Sequence, residues 1–201
     1  MGEQRSRASW LRLDDVTDPA PAIKAMWDES LKRLGYIREF LKIPFEADRL
    51  ALFQGYINRL MRGHDCLLSG QERELVALVV SLENRCEACI ITHAGALTAH
   101  GMAARTVDVL LANWRRADLS PRMRALAEFA AALTVTPQLA DESGLDRLRT
   151  AGLTEPEILE TVQIVAIFNA TNRLNSGLGT KVEGGAHDAF RLAVVAVGID
   201  L

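Results

Sequence analysis

Apolar residues along this chain recur at three- and four-residue spacings between charged positions, the pattern of helices that each bury one face. Asp18-Pro19-Ala20-Pro21 reads as a starter before a helix over residues 22–34, which Gly35 is suited to stop. A second amphipathic stretch covers residues 45–62, with Leu50, Phe53, Ile57 and Leu60 on or near one face. Ser69-Gly70-Gln71-Glu72 is a capping box: Ser69 accepts from a free backbone N–H while Glu72 reaches back. The body that follows, 75–82, is apolar nearly all round and rich in valine, a composition that a buried strand shares. The cap and the length decide for helix. Asn84 breaks that helix, and the next is expected from about 86 to 100, ending at Gly101.

Further along, a short helix is expected over 102–114. Leu119-Ser120-Pro121 then supplies an N-cap and a proline at the first helical position, opening a helix over 122–133 that residues 134–137 end. Residues 141–151 form another, closed by Gly152. Thr154-Glu155-Pro156-Glu157 is a second capping box, opening a long helix through about residue 168. No alternating segment competes as a strand, so the expected fold class is all-α. The tail, 184–201, is open between a docked helix and a short strand.

Two of these segments resemble each other. A shift of 83 positions carries Glu74 to Glu157 and Leu75, Val76, Val79 and Leu82 to Ile158, Leu159, Val162 and Val165, keeping the apolar pattern. The same shift carries Cys86, Cys89 and His93 to Asn169, Asn172 and Ser176. The capping boxes align at a shift of 85, Ser69 to Thr154, which needs a two-residue slip. A degenerate internal repeat, with chemistry in one half and scaffolding in the other, is the corresponding expectation.

Composition narrows the function classes. At 201 residues and 49% hydrophobic, the chain is long enough for one substantial core, and a single unit spanning 1–201 with its core at about 20–180 is expected. A net charge of -3 without a basic cluster interleaved with aromatics argues against nucleic acid as partner. The apolar runs at 75–80 and 192–199 are far short of a membrane span, and residues 1–6 carry no apolar signal core. The expectation is a cytoplasmic protein without a membrane partner. Three cysteines are the wrong count for a secreted disulfide framework, and in a reducing compartment a CxxC is more often redox-active or metal-binding.

The chemistry concentrates in Cys86-Glu87-Ala88-Cys89-Ile90-Ile91-Thr92-His93. At 3.6 residues per turn, Cys86 and Cys89 are an i, i+3 pair and Cys89 and His93 an i, i+4 pair, so one helix face gathers two thiols and an imidazole. A thiolate is the form that attacks peroxides and disulfides, and a helix N-terminus or a neighbouring cation lowers the thiol pKa toward working pH. A second thiol then converts the oxidised sulfur into an intramolecular disulfide. Arg85 and the helix N-terminus favour the thiolate, while an ionised Glu87 opposes it. The bland readings are a pair of small buried hydrophobes for the cysteines, a core histidine for His93 and a helix-dipole carboxylate for Glu74. Cys66 reads as a buried thiol, and Asn169, Asn172 and Arg173 as interhelical polar contacts. A zinc site is the metal alternative, with Cys86, Cys89 and His93 joined by Cys66 or His64, but three ligands in a row on one helix suit a tetrahedron poorly.

The run Glu72-Arg73-Glu74-Leu75-Val76-Ala77-Leu78-Val79-Val80-Ser81, followed by Asn84-Arg85-Cys86-Glu87-Ala88-Cys89 and His93, resembles the alkylhydroperoxidase D-like branch of the carboxymuconolactone decarboxylase superfamily. It is similar in particular to the uncharacterised peroxidase-related proteins of that branch, over roughly residues 20–180. The resemblance implies an all-helical bundle forming homo-oligomers, commonly dimers, trimers or hexamers, and cofactor-free reduction of a hydroperoxide. It also implies Cys89 as the peroxidatic thiol, Cys86 as the resolving thiol, Glu74 and His93 in a proton relay, and a dithiol or lipoyl-type reductant. Residue chemistry alone leaves the order of the two cysteines open. Characterised peroxidase members carry a histidine immediately before the second cysteine, where this chain has Ala88. Two further readings accompany the peroxidase: a helical module whose dithiol only senses oxidants, and a decarboxylase-like enzyme on the same fold, whose chemistry needs no CxxC.

Overall fold

The computed structural model describes residues 7–182, so the expectations for residues 1–6 and for the tail 184–201 fall outside it. Eight α-helices follow in order: α1 (Pro21–Leu34), α2 (Ala47–Arg62), α3 (Gly70–Glu83), α4 (Glu87–Ala99), α5 (Ala104–Asn113), α6 (Pro121–Val135), α7 (Glu142–Thr150) and α8 (Glu155–Leu178). Short 3-10 turns occupy Glu39–Lys42, Trp114–Arg116 and Pro137–Leu139. The described residues contain no strand, in agreement with the all-α expectation.

α3 is the axis of the bundle. Every residue from Glu74 to Ser81 is buried, and α4, α6 and α8 pack around it. Its apolar circumference is therefore satisfied by neighbours on all sides, which settles the strand alternative for 75–82 physically. Both capping boxes form, Ser69 with Glu72 and Thr154 with Glu157. One guanidinium joins them: Arg122 on α6 donates through Nε to Glu72 Oε1 at 2.6 Å and through Nη2 to Glu157 Oε1 at 2.5 Å. At the C-terminal end of α3, Asn84 Nδ2 donates to Asn169 Oδ1 in the body of α8 at 3.0 Å. Contacts twelve residues apart along both helices make α3 and α8 parallel neighbours, in a register of 85 residues rather than 83. A further tie is the buried Glu160 carboxylate, which accepts the backbone N–H groups of Leu67 and Leu68 at 2.8 and 3.2 Å and so anchors the loop before α3 to α8.

A second, smaller cluster, including Ile23, Phe40, Leu41, Ile43 and Leu50, holds α1 and the linker to α2. The N-terminal arm joins it through Trp10, whose N–H donates to Leu178 O at 2.8 Å.

Two helix boundaries and one burial depart from the sequence reading. α8 continues to Leu178, ten residues beyond the expected end near Phe168, because Asn172 and Asn175 are interior hydrogen-bonding groups of a continuing helix and not the polar residues of a stop. Cys86 is not the first helical residue of α4 but its N-cap, at φ -87° and ψ 96°. Cys66 is half-buried rather than buried, with its sulfur against the carbonyls of Leu60 and Arg59.

Candidate active site

The turn between α3 and α4 sets the position of the thiols. Asn84 ends α3, Arg85 adopts the left-handed conformation at φ 53°, and Cys86 N–H donates back to Ser81 O at 3.0 Å. This six-to-one bond with a left-handed residue before it is a Schellman closure in which arginine stands where glycine is usual. It reverses the chain within three residues, so that α4 starts beside the C-terminal end of α3 with the dithiol at its N-terminus.

The two sulfurs meet although Cys86 lies outside the helix. The Cys89 thiol hydrogen-bonds Cys86, and this contact is the chief cause holding the Cys86 pKa down at about 7. Burial pushes the other way, while the Cys89 backbone N–H, the Ser176 hydroxyl and the Asn172 amide add to the lowering. Cys89 moves oppositely, raised well above the ordinary thiol range first by its hydrogen bond to Cys86, then by burial and by the neighbouring charge; Asn172 and the positive charge of Arg38 pull it down. The two thiols are thus pushed in opposite directions by their contact with each other, Cys86 down and Cys89 up, and titrate as a coupled pair. Arg85 and Glu87, whose competition the sequence leaves undecided, are both exposed, and the decisive interaction is between the thiols themselves.

One turn of α4 beyond Cys89, His93 meets Glu74 of α3: Glu74 Oε2 and His93 Nδ1 are 2.6 Å apart, and both side chains are 8% exposed. The His93 ring is further fixed by Phe168, edge-on at 4.5 Å between centroids. With Nδ1 committed to the carboxylate, Nε2 is the nitrogen free for proton exchange.

Cys89, His93 and Glu74 line a common cavity of about 1010 Å³ between α1, α2, α4 and α8. Ala88, Gly95, Ala96 and Ala99 on α4 keep it wide, and Phe40, Ile57 and Phe168 make much of the wall apolar. Cys86 lies behind Cys89 and is not part of that wall. All four residues singled out from the sequence, Cys86, Cys89, His93 and Glu74, therefore come together in space.

Cys66 and His64 do not join them. His64 is 84% exposed beside Asp65, and among the described residues no three His, Cys, Asp or Glu side chains stand close enough to hold a metal ion. This counts against the zinc alternative.

Sequence reasoning missed the polar groups that face the sulfurs from α8. Asn175 Nδ2 donates to Cys89 Sγ at 3.6 Å, Asn172 reaches both sulfurs, and Ser176 reaches Cys86. It also missed Arg38, in the linker between α1 and α2, held by a hydrogen bond from Nη2 to the buried Gln54 Oε1 at 3.3 Å. For the α8 residues a signal was present: Asn169, Asn172 and Asn175 follow one another at i, i+3 and prolong the stripe of Val165 and Phe168. Arg38 left none.

A family model described as the carboxymuconolactone decarboxylase family matches residues 48–132, which run from α2 through most of α6 and include the thiols and His93. Among solved structures, an uncharacterized peroxidase-related protein from Silicibacter sp. TM1040 is 29% identical, with a TM-score of 0.84 over 94% of this chain and 99% of that one. The alkylhydroperoxidase AhpD core of an uncharacterized peroxidase-related protein from Ralstonia eutropha JMP134 shares the fold at 23% identity and a TM-score of 0.73, covering 92% of this chain and 98% of that one. The debrominase Bmp8, solved in complex with 2,3,4-tribromopyrrole, shares it at 18% identity and a TM-score of 0.75, covering 92% and 99%. No functionally curated protein matches the sequence. Over residues 48–132 the chain is therefore similar to the carboxymuconolactone decarboxylase family, and its helical architecture is one shared with alkylhydroperoxidase D-like proteins.

Proposed function

We propose that this protein is a thiol-dependent peroxidase that reduces a hydroperoxide through a Cys89/Cys86 dithiol cycle. The observation that carries the reading is the position of Cys89, on one cavity wall with the Glu74–His93 pair in front and the Cys86 sulfur hydrogen-bonded behind. The Cys86 thiolate is the nearest base for the Cys89 proton, and its withdrawal makes Cys89 the nucleophile. Cys89 attacks the outer peroxide oxygen, the O–O bond breaks, and Cys89 becomes a sulfenic acid. The departing alkoxide takes a proton from Nε2 of doubly protonated His93, whose Nδ1–H Glu74 holds, and solvent restores that proton before the next cycle. Cys86 then attacks the sulfenic sulfur, water leaves, and a disulfide closes. Two thiols and one hydroperoxide become a disulfide, an alcohol and water. A dithiol or lipoyl-type reductant reopens the bridge by exchange, returning two electrons and two protons.

The testing experiment supplies hydrogen peroxide or an organic hydroperoxide with dihydrolipoamide and follows peroxide consumption. Wild type and Cys66→Ser are expected to turn over, and Cys89→Ser and Cys86→Ser to fail. Unchanged catalysis in either of the last two ends the mechanism. A sensor would instead be oxidised once per chain without consuming peroxide.

A second reading is favoured by the cavity. At about 1010 Å³ it lies at the upper end of the small-molecule range, far more than a peroxide group needs. The debrominase that shares the fold was solved with a brominated pyrrole bound, and removal of a ring halide also consumes two thiol electrons. Bromide release from a bromopyrrole under the same reductant, without peroxide turnover, would favour that substrate class. The decarboxylase-like alternative gives no role to the dithiol and is the weakest. Homo-oligomerisation belongs with the proposal as well: Leu133, Pro137, Val162, Val165 and Ala166 line an apolar groove between α6 and α8 that offers a face for a second copy. No helix among the described residues is long and apolar enough to cross a membrane.

A further inference from the structure

The cavity carries its charge unevenly. Roughly 16 Å along α4 from Cys89, at 1.5 Å per residue, its wall is cationic: Arg73 of α3, Arg62 of α2 and His100 at the end of α4 meet there. Arg73 is half-buried and held from two sides, with Nε donating to Met61 O at 3.2 Å and Nη1 to Leu68 O. It forms no ion pair among the described residues, and its Nη2 donates to none of them. Arg62 follows Met61 in the last turn of α2, its Nη1 on Asn58 Oδ1 at 2.8 Å. His100 is kept at this end by α3: its carbonyl accepts Gln71 Nε2 at 2.8 Å, and its ring lies so close to Gly70 that a Cβ there would stand 2.5 Å from it. The Gly70 backbone is not left-handed, so it is the ring that requires glycine. The carboxylates of the wall are engaged elsewhere. Glu74 holds His93, Glu39 pairs with Lys42, and Glu29 neighbours Ser30, whose hydroxyl accepts the Arg38 N–H at the Cys89 end.

We infer that this end of the cavity binds an anionic head group, a carboxylate or a phosphate, and that the substrate is an amphipathic hydroperoxide stretched between Arg73 and Cys89. The substrate class rests on the peroxidase reading above; the anion site does not. A half-buried guanidinium without a counter-ion bears a desolvation cost that an oxyanion in the cavity offsets, and its planar fork suits an acceptor with two oxygens. Tethering α2 and the loop before α3 uses only Nε and Nη1, which leaves Nη2 and the charge itself without a structural purpose. Between the two ends the wall is apolar, with Ile57, Met61 and Phe168 joined by the small residues Gly95, Ala96 and Ala99. An extended chain of about ten to twelve carbons, with C–C bonds of about 1.5 Å, covers most of that interval. A head group on Arg73 then sets the far end of the chain, and the O–O bond it carries, beside the Cys89 sulfur.

The test reads binding without turnover. Decanoate, decyl phosphate and the neutral decanol are titrated into the reduced full-length protein by calorimetry, at low ionic strength and below micelle-forming concentrations. At least one of the two anions is expected to bind about tenfold more tightly than decanol, and the tighter anion names the head group. Arg73→Leu should weaken that anion about tenfold and leave decanol unchanged. Because Arg73 also ties α2 to the loop before α3, the exposed Arg62→Met gives a second arm that folding does not confound, with an expected loss of about threefold that added salt diminishes. Anions that bind no better than decanol, or an anion affinity unmoved in the folded variants, overturn the inference. Decanoate binding without consumption of a hydroperoxydecanoate would overturn the peroxidase and leave the anion site standing. Turnover of cumene hydroperoxide without any head-group preference would do the reverse.

Discussion

Glu74 Oε2 lies 2.6 Å from His93 Nδ1, with both side chains withdrawn from solvent between α3 and α4. A contact that short between a carboxylate and an imidazole fixes the ring tautomer as well as its angle, since the oriented nitrogen must be the one bearing the proton. Under the proposed mechanism, Glu74→Gln is expected to lower kcat by about tenfold to a hundredfold, and His93→Gln by about a hundredfold, the usual range for a positioned proton donor. Steady-state peroxide consumption checks this. In both variants the thiols should still alkylate at the wild-type rate at pH 7, which separates lost proton delivery from a lost nucleophile.

The dithiol predicts a pH profile for stability. Cys86 titrates at about 7 in the folded chain, below an ordinary thiol near 8.5, so its contribution is full above about 8.5 and is lost as pH falls through 7. Cys89 is raised, so its contribution is present below the ordinary thiol value and is lost as pH rises beyond it. The melting temperature of the Cys66→Ser protein should therefore climb between pH 6.5 and 8.5 and decline at higher pH. Cys86→Ser should remove the climb.

Arg85 supplies a stability prediction at the same place. An L-residue in the left-handed region costs about 1 kcal/mol relative to the conformations it prefers, and a glycine there avoids the Cβ clash but gives back part of the gain through its freedom in the unfolded chain. Arg85→Gly is expected to stabilise by roughly 0.5 kcal/mol, visible as a higher urea midpoint at unchanged slope.

The bridge from Arg122 to Glu72 and Glu157 gives an acid-side prediction. Burial pushes Glu72 up, but hydrogen bonds from Arg122 and Ser69 outweigh it and leave its carboxyl below the usual range. Glu157 is lowered mainly by the Thr154 N–H, with burial opposing and Arg122 assisting. Both contributions are present above the ordinary carboxylate value and are lost as pH falls through the lowered ones. Arg122→Met should cost about 2 kcal/mol at pH 7, since it leaves two half-buried carboxylates facing each other, and it should flatten the acid limb of the stability curve. Urea denaturation at pH 7 and pH 3.5 measures both.

Local signals were read well where a side chain acts on its own backbone. Ser69, Ser120 and Thr154 announced three helix starts by capping, and Gly35 and Gly152 announced two ends by tolerating the left-handed region. The spacing of Cys86, Cys89 and His93 announced their meeting. Glu74 is different: it lies 19 residues from His93, and only the resemblance paired them in advance. Asn169 and Asn172 are the interhelical polar contacts their sequence suggests, but the apolar pattern fades after Phe168, and only their partners Asn84 and Ser81 reveal that α8 continues through them. The left-handed turn at Arg85 gave no sign either, since the residue that marks such a turn is absent.

Cys86 belongs to the reversal before α4 and Cys89 to α4 itself, so a bond between them would tie a rod to the elbow that precedes it. Repeated making and breaking of that bond would flex the elbow and spare the rod, along with the cavity wall the rod carries. The two side chains beside the elbow, Arg85 and Glu87, look outward. Under the proposed cycle, strain from closing the bridge would therefore fall on that exposed turn rather than on the core.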